Sequence, residues 1–183
     1  MSEELFIRHC SPTLAGIKPG SMFPYSYATP EELLEYIRSA NHVLVPDGLR
    51  VLPLRYGDGH ALIYVFRPTD IEKVLQDKIA VSLLKKCGYT NFGVRNCICH
   101  LIGRFQHEKE FPHEVGLFLG YPPEDVVGFM ENKACGHKCV GCWKVYGDEQ
   151  KARKTFAKYK KCTEEYCSQW EQGKSIERLT VAG

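Results

Sequence analysis

Residues 49–67 read LRVLPLRYGDGHALIYVFR and contain the clearest β-sheet pattern of the chain. Two apolar runs, residues 49–55 and 61–67, flank GDG at 57–59, whose glycines can adopt the unusual backbone angles of a tight turn. Apolar side chains point to both faces of each run, so neither face of the predicted hairpin is suited to water. We therefore expect an antiparallel hairpin that other elements cover on both sides.

Helix-start patterns lie on both sides of this hairpin. TPEE at residues 29–32 combines a capping threonine with a proline at the first helical position and a glutamate at the third. TDIE at residues 69–72 repeats the capping pattern and predicts one helix that passes through Leu83 and stops near Gly88. Apolar spacing predicts three further helices, through residues 98–105, through 126–130, and from the capping Asp148 to Trp170.

Two short apolar segments predict strands outside the hairpin, at residues 115–119 and around residues 140–146. With the helices, they predict an α+β fold: a small, mainly antiparallel sheet of about four strands with helices packed around it. The chain has no repeat, linker or low-complexity tract. Residues 1–183 are therefore expected to form a single α+β domain.

The composition is that of an ordinary globular protein, with 183 residues, 44% hydrophobic and 25% charged. A net charge of +2 gives no indication of nucleic-acid binding. No apolar run approaches the roughly 20 residues that cross a bilayer, and the start MSEE lacks the pattern of a secretion signal. We expect a cytoplasmic protein with no membrane partner, whose nine cysteines are thiols or metal ligands in a reducing compartment.

Five segments of the chain together resemble one protein family. They are RHCSPTLAG (8–16), FPHEVGLFLGYP (111–122), WKVYGD (143–148), YKKCT (159–163) and GKSIERL (173–179). Through them the chain resembles, almost end to end, the uncharacterised bacterial family catalogued as domain of unknown function 3793. The resemblance implies no activity. The family's association with anaerobes, flavodoxins and ferrous-iron uptake implies a redox or metal context, and a redox partner such as a flavodoxin.

Cys10 is the first candidate for chemistry. A helix that begins at Pro12 would have Ser11 as its cap and Cys10 just outside its N-terminus. The positive end of the helix dipole favours a thiolate, which is the nucleophilic form of cysteine. The sequence therefore indicates Cys10 as a nucleophile.

His113 is the candidate general base for this nucleophile. It precedes the predicted strand at residues 115–119, which resembles the strand that begins with the catalytic histidine in papain-like cell-wall peptidases. Glu114, which follows His113 and departs from that pattern, or Asp148 could orient the imidazole ring. This interpretation predicts a thiol-dependent hydrolase or acyl transferase acting on a small molecule or peptide.

A cysteine-rich loop gives a second hypothesis. CGHKCVGC at residues 135–142 places His137 among Cys135, Cys139 and Cys142. Thiolate and imidazole are the ligands that zinc and iron–sulfur centres prefer, and short spacings let one loop reach one metal. A fourth ligand could come from elsewhere in the fold: Cys97, Cys99 or Cys162.

Two alternatives to a thiol enzyme therefore stay open. The first is a non-catalytic metal-binding or redox accessory protein that uses the cysteine-rich loop. The second is an interaction module with neither site. One face of the last predicted helix carries four lysines, at positions 151, 154, 158 and 161. This pattern indicates either a solvated surface or a site for an acidic partner or phosphate.

Overall fold

A three-stranded antiparallel sheet runs through the middle of the fold in the computed structural model, which describes residues 3–183. Its strands are β1 (Gly20–Ser26), β2 (Arg50–Gly57) and β3 (His60–Phe66), with β3 in the centre. The predicted hairpin is confirmed as β2–β3, closed by Asp58 and Gly59 at φ values of 50° and 76°. Met1 and Ser2, at the start of the N-terminal stretch interpreted above, lie outside the described residues.

Helices pack around this sheet, which confirms the α+β fold class. They are α1 (Glu3–Leu14), α2 (Pro30–Leu44), α3 (Pro68–Val74), α4 (Lys78–Lys86), α5 (Val94–His107), α6 (Val115–Phe118), α7 (Pro123–Glu131), α8 (Glu149–Glu171) and α9 (Ile176–Leu179). A separate antiparallel ribbon pairs β4 (Cys139–Val140) with β5 (Lys144–Val145). None of the helices within residues 3–183 is both long and apolar enough to span a membrane.

The two faces of the sheet carry different hydrophobic clusters, because neighbouring side chains of β3 point in opposite directions. Ile63 and Val65 pack with α1, α2 and α9 on one face. Tyr64 and Phe66 pack with α3 to α7 on the other face, and the Tyr64 hydroxyl donates to the Phe118 carbonyl at 2.6 Å. The hairpin is therefore covered on both sides, as its two apolar faces predict.

Several elements differ from the sequence-based predictions. The single strand predicted around residues 140–146 is instead the two short paired strands of the β4–β5 ribbon. The single helix predicted from residue 69 to Leu83 is two helices, because the Asp77 side chain caps α4 by accepting from Ile79 N and Ala80 N. The strand predicted at 115–119 is instead the helical turn α6, which ends at Gly120 with φ 76°. The edge strand β1 was not predicted, because Pro24 interrupts its pattern, and edge strands tolerate proline.

The guanidinium group of Arg67 is buried just beyond the end of β3 and donates to four backbone carbonyl groups. Two of them, on Thr13 and Leu14, belong to the last turn of α1 and accept at 2.8 Å. The other acceptors are Val181 O at 2.6 Å, near the end of the chain, and Asp47 O at 3.3 Å, after α2. Helix ends leave carbonyls without partners and carry negative partial charge, so a cation is well placed here.

Replacing Arg67 with lysine should lower the free energy of unfolding by about 2–3 kcal/mol, because one ammonium cannot reach four carbonyls that a planar guanidinium contacts together. The change is measured by urea denaturation. Arg38→Lys on the exposed face of α2 is the control and should stay within about 0.5 kcal/mol of the wild type. Equal stabilities of the two variants would contradict this role.

Candidate functional site

A pocket of about 280 Å³ opens between α6, α7 and the β4–β5 ribbon. Apolar side chains line it from three directions: Met22 from β1, Val115 and Leu119 from α6 and its end, and Val126 from α7. Gly116 lies among them, and a Cβ atom there would lie 3.0 Å from both Tyr121 and Val126. A larger residue at position 116 would therefore crowd the lining of the pocket.

Aromatic rings form the walls of this pocket. Tyr121 stacks on Trp143 with ring centroids 5.0 Å apart, and the His113 ring lies 4.9 Å from that of Phe129. Phe111 also lines the pocket, and 47% of its surface is exposed. Apolar surface left exposed at the mouth of an aromatic pocket is typical of a binding site.

Asp125 holds one of these walls in place. Its buried carboxylate accepts from the Trp143 indole N–H through Oδ2 at 2.7 Å. Oδ1 accepts from the backbone N–H groups of Tyr146 and Gly147, both at 2.7 Å. The carboxylate thereby fastens the ribbon and its indole to α7, and these three bonds make Asp125 a positioning residue for Trp143.

Two other polar side chains line the pocket. Lys144 donates from Nζ to Ala134 O at 2.9 Å, and its ammonium lies 5.9 Å from the centroid of the Phe129 ring. His113 is exposed and packs against the rings of Phe111 and Phe129. The pocket therefore combines an apolar interior with a small number of polar groups.

Cys10 lies elsewhere, inside α1 rather than before a helix. The helix begins at Glu3 and includes Pro12, and the Ser11 hydroxyl donates to Ile7 O instead of capping a helix N-terminus. The prediction that Cys10 precedes a helix is therefore wrong. Burial raises the pKa of the Cys10 thiol, and the nearby end of α1 is the negative end of its dipole. Both effects favour the neutral thiol.

The structure also separates Cys10 from His113. Cys10 packs in the hydrophobic cluster on one face of the sheet, whereas Val115, two residues after His113, packs in the cluster on the other face. His113 precedes a helical turn, so the predicted strand that motivated its assignment as a base is wrong. The geometry gives the Cys10–His113 pair no support.

The two residues considered as orienting groups for His113 have other partners. Glu114 is fully buried, forms an ion pair with Arg104, and accepts from the Tyr89 hydroxyl at 3.3 Å. Asp148 caps α8 by accepting from Lys151 N at 3.0 Å. Neither carboxylate is hydrogen bonded to His113, so the structure does not assemble the predicted catalytic group.

The cysteine-rich loop is spread out rather than closed around a point. Cys135, His137 and Cys142 are exposed, and Cys139 lies in β4, opposite Val145 of β5. Within residues 3–183 no three His, Cys, Asp or Glu side chains are grouped so as to hold a metal ion. The structure therefore does not bring the predicted metal ligands together. All nine cysteines are free thiols.

Sequence reasoning missed the pocket and its positioning residue. Asp125 and Trp143 are 18 positions apart, and no local pattern connects a carboxylate in the first turn of one helix to an indole in a ribbon. The segments WKVYGD and FPHEVGLFLGYP, quoted above for their family resemblance, contribute most of the pocket lining. That coincidence was the only signal in the sequence.

Iodoacetamide should leave Cys10 unmodified in the native protein at neutral pH, because the sulfur is buried and burial raises the pKa of the thiol. The exposed Cys99 and Cys135 should react readily, and Cys10 should react only after unfolding in urea. Peptide mass mapping measures all three sites in one experiment. Modification of native Cys10 as fast as Cys135 would contradict the burial and revive the nucleophile hypothesis.

Replacing Asp125 with asparagine should lower the free energy of unfolding by about 2 kcal/mol, because an amide has one acceptor oxygen for three buried or partly buried donors. In a Trp170→Phe background, the fluorescence of Trp143 should also shift to longer wavelength. Asp148→Asn is the control, since asparagine caps helices as well as aspartate does. Unchanged stability and fluorescence in Asp125→Asn would refute the positioning role.

The family model for Protein of unknown function (DUF3793) matches residues 6–180 of the chain. This match covers nearly the whole chain and confirms the resemblance noted from its segments, so the chain belongs to the DUF3793 family. No curated protein and no solved structure matches it.

Proposed function

We propose that this DUF3793 protein binds a small, planar, mainly apolar molecule in the pocket between α6, α7 and the ribbon. The observation that carries the proposal is the set of aromatic rings around a preformed apolar pocket whose mouth exposes Phe111 and Val140. Val140 is 61% exposed although it is a large apolar residue. Exposed apolar surface costs free energy in water unless a ligand or partner covers it.

The dimensions of the pocket limit the ligand. A volume of about 280 Å³ lies just below the usual range of about 300–1,000 Å³ for ligand pockets, which suits a molecule of one or two rings. The wall of Tyr121 and Trp143 presents aromatic faces that stack best on a planar molecule. An extended or bulky ligand would use neither feature.

The polar groups of the pocket indicate one further property of the ligand. The carboxylate of Asp125 already accepts three hydrogen bonds, which leaves it little capacity for a ligand donor. Lys144 carries a positive charge and retains donors beyond the one that binds Ala134 O. A ligand with an acceptor or negative group at one edge would complement Lys144.

The residues of the pocket support ligand binding better than they support thiol-dependent catalysis. The described residues that line the pocket include no cysteine or serine, so the lining offers no thiol or hydroxymethyl nucleophile. The separation of Cys10 from His113 and the spread of the cysteine-rich loop likewise leave the enzyme and metal hypotheses without geometric support.

Naphthalene-2-sulfonate, a planar two-ring molecule with a negative group, is the probe that tests this proposal. It should bind the native protein at one site, with the affinity measured by calorimetry. Phe111→Ala should weaken the affinity about tenfold, because the lost ring contact is worth about 1.4 kcal/mol. Ile79→Ala, on the exposed face of α4, is the matched control and should bind normally.

A second comparison tests the polar end of the pocket. Lys144→Met should weaken the binding of the sulfonate probe but not that of the uncharged analogue naphthalene, whereas Lys154→Met on α8 should weaken the binding of neither. Probe binding that is unaffected by Phe111→Ala, or that appears only in partly unfolded protein, would refute the proposal.

A further inference from the structure

Lys18 lies between the end of α1 and the start of β1, beside two adjoining clefts. The smaller cleft is lined by Lys18 and Pro19, and it shares Ile17 and Gly120 with a larger cleft beside α8. Tyr121 and Trp143 line both the larger cleft and the ligand pocket described above. These two rings therefore form a wall that the ligand pocket and the larger cleft share.

The ammonium of Lys18 has unusual surroundings for a lysine. Its Nζ lies 5.9 Å from the ring centroid of Tyr121 and 6.0 Å from that of Tyr159. It donates to Ser21 Oγ at 3.4 Å, and this buried hydroxyl is also hydrogen bonded to Thr13 Oγ1 at 2.9 Å. A single long hydrogen bond to a neutral hydroxyl uses one of three N–H donors.

Within residues 3–183, no carboxylate forms an ion pair with this ammonium. Asp70 lines the smaller cleft together with Lys18, but its carboxylate pairs with Lys73 of the larger cleft at 2.6 Å. Burial lowers the pKa of Lys18, because the charged form loses part of its hydration. A partly dehydrated ammonium without a counter-ion gains free energy when an anion binds beside it.

The other charged groups of the larger cleft leave room for such an anion. Asp77 and Asp148 are committed to backbone N–H groups at the starts of α4 and α8, and Asp125 accepts three hydrogen bonds. Glu124 is exposed at the rim. Positive charge comes from Lys18 beside the cleft and from Lys151 and Lys158 of its lining, whereas Lys73 is already paired with Asp70.

We propose that Lys18 anchors a second binding site, for the oxyanion group of a small molecule that enters the smaller cleft where it adjoins the cleft beside α8. The rings of Tyr121 and Tyr159 line the larger cleft with their centroids 5.9 and 6.0 Å from the ammonium, and their phenol groups can donate hydrogen bonds to the same ligand. The site does not depend on ligand binding in the aromatic pocket, because Phe111 and Val140 lie outside the cleft lining. A lysine that merely covered the two rings with its stem would bind no anion.

Sulfate and acetate, compared at constant ionic strength with chloride, test the proposal by protection. Each lysine is labelled with a succinimidyl ester, and peptide mass spectrometry follows the rate at Lys18 and at the exposed Lys154. Saturating anion should slow the labelling of Lys18 at least tenfold and leave Lys154 unchanged. Protection by sulfate alone would show that the site prefers a tetrahedral oxyanion, such as that of a phosphate ester. Protection by both anions would show that the site also accepts a carboxylate.

Variants provide the second readout, with sulfate affinity measured by calorimetry. Lys18→Met should lower the affinity at least tenfold, whereas Lys154→Met and Phe111→Ala should leave it unchanged. Tyr159→Phe keeps the ring and the fold but removes one donor, so it should lower the affinity severalfold even if Lys18→Met fails to fold. Equal protection of Lys18 and Lys154, or none, would overturn the site without affecting the aromatic pocket.

Discussion

The buried guanidinium of Arg67 is the contact on which the rest of the arrangement depends. Its four carbonyl acceptors come from the end of α1, the loop after α2 and the last residues of the chain. Its backbone N–H donates to Pro19 O at 2.9 Å, next to the pairing of Gly20 with Phe66 that begins the β1–β3 ladder. Because a buried cation must keep all of these acceptors, the end of α1 and the start of β1 have fixed positions. Lys18 lies on the segment between them.

The elements that could be predicted from sequence are those that local interactions determine. The β2–β3 hairpin follows from two apolar runs and a two-residue turn, and α2 follows from Thr29, which accepts from Glu32 N at 3.2 Å. The sequence-based predictions were wrong where one local pattern is compatible with two different structures. The apolar residues 115–119 fit a short strand or a helical turn equally well. In the structure they form the turn α6, whose Phe118 carbonyl accepts a hydrogen bond from the Tyr64 hydroxyl of the central strand. The spacing of apolar residues on either side of Asp77 fits a continuous helix. The Asp77 side chain instead accepts hydrogen bonds from the backbone and caps a second helix, α4.

The candidate sites show the limits of reading chemistry from residue type. Residue type indicated Cys10 and the 135–142 loop as sites of chemistry. Cys10 is instead a small apolar side chain in a core, and within residues 3–183 the loop cysteines join no group of side chains that could hold a metal ion. Of the candidate catalytic and metal-binding residues named from sequence, only His113 lines the aromatic pocket, and it does so before a helical turn and beside Phe129. Asp125 carried no local signal, because its function arises from contacts with the distant ribbon. A carboxylate in the first turn of a helix is ordinary in sequence, and only the fold gives it buried partners.

These contacts explain how a short ribbon can form one side of the proposed binding site. Two pairs of residues in β4 and β5 are too few to hold an indole ring in position by strand pairing alone. Asp125 supplies the missing constraint, since its carboxylate binds the Trp143 side chain and the backbone just after β5 at the same time. A ring that is already fixed loses little entropy when a ligand stacks on it, so more of the stacking energy appears as affinity. The same fixed ring borders the cleft beside Lys18, so a single carboxylate shapes both cavities from the wall between them.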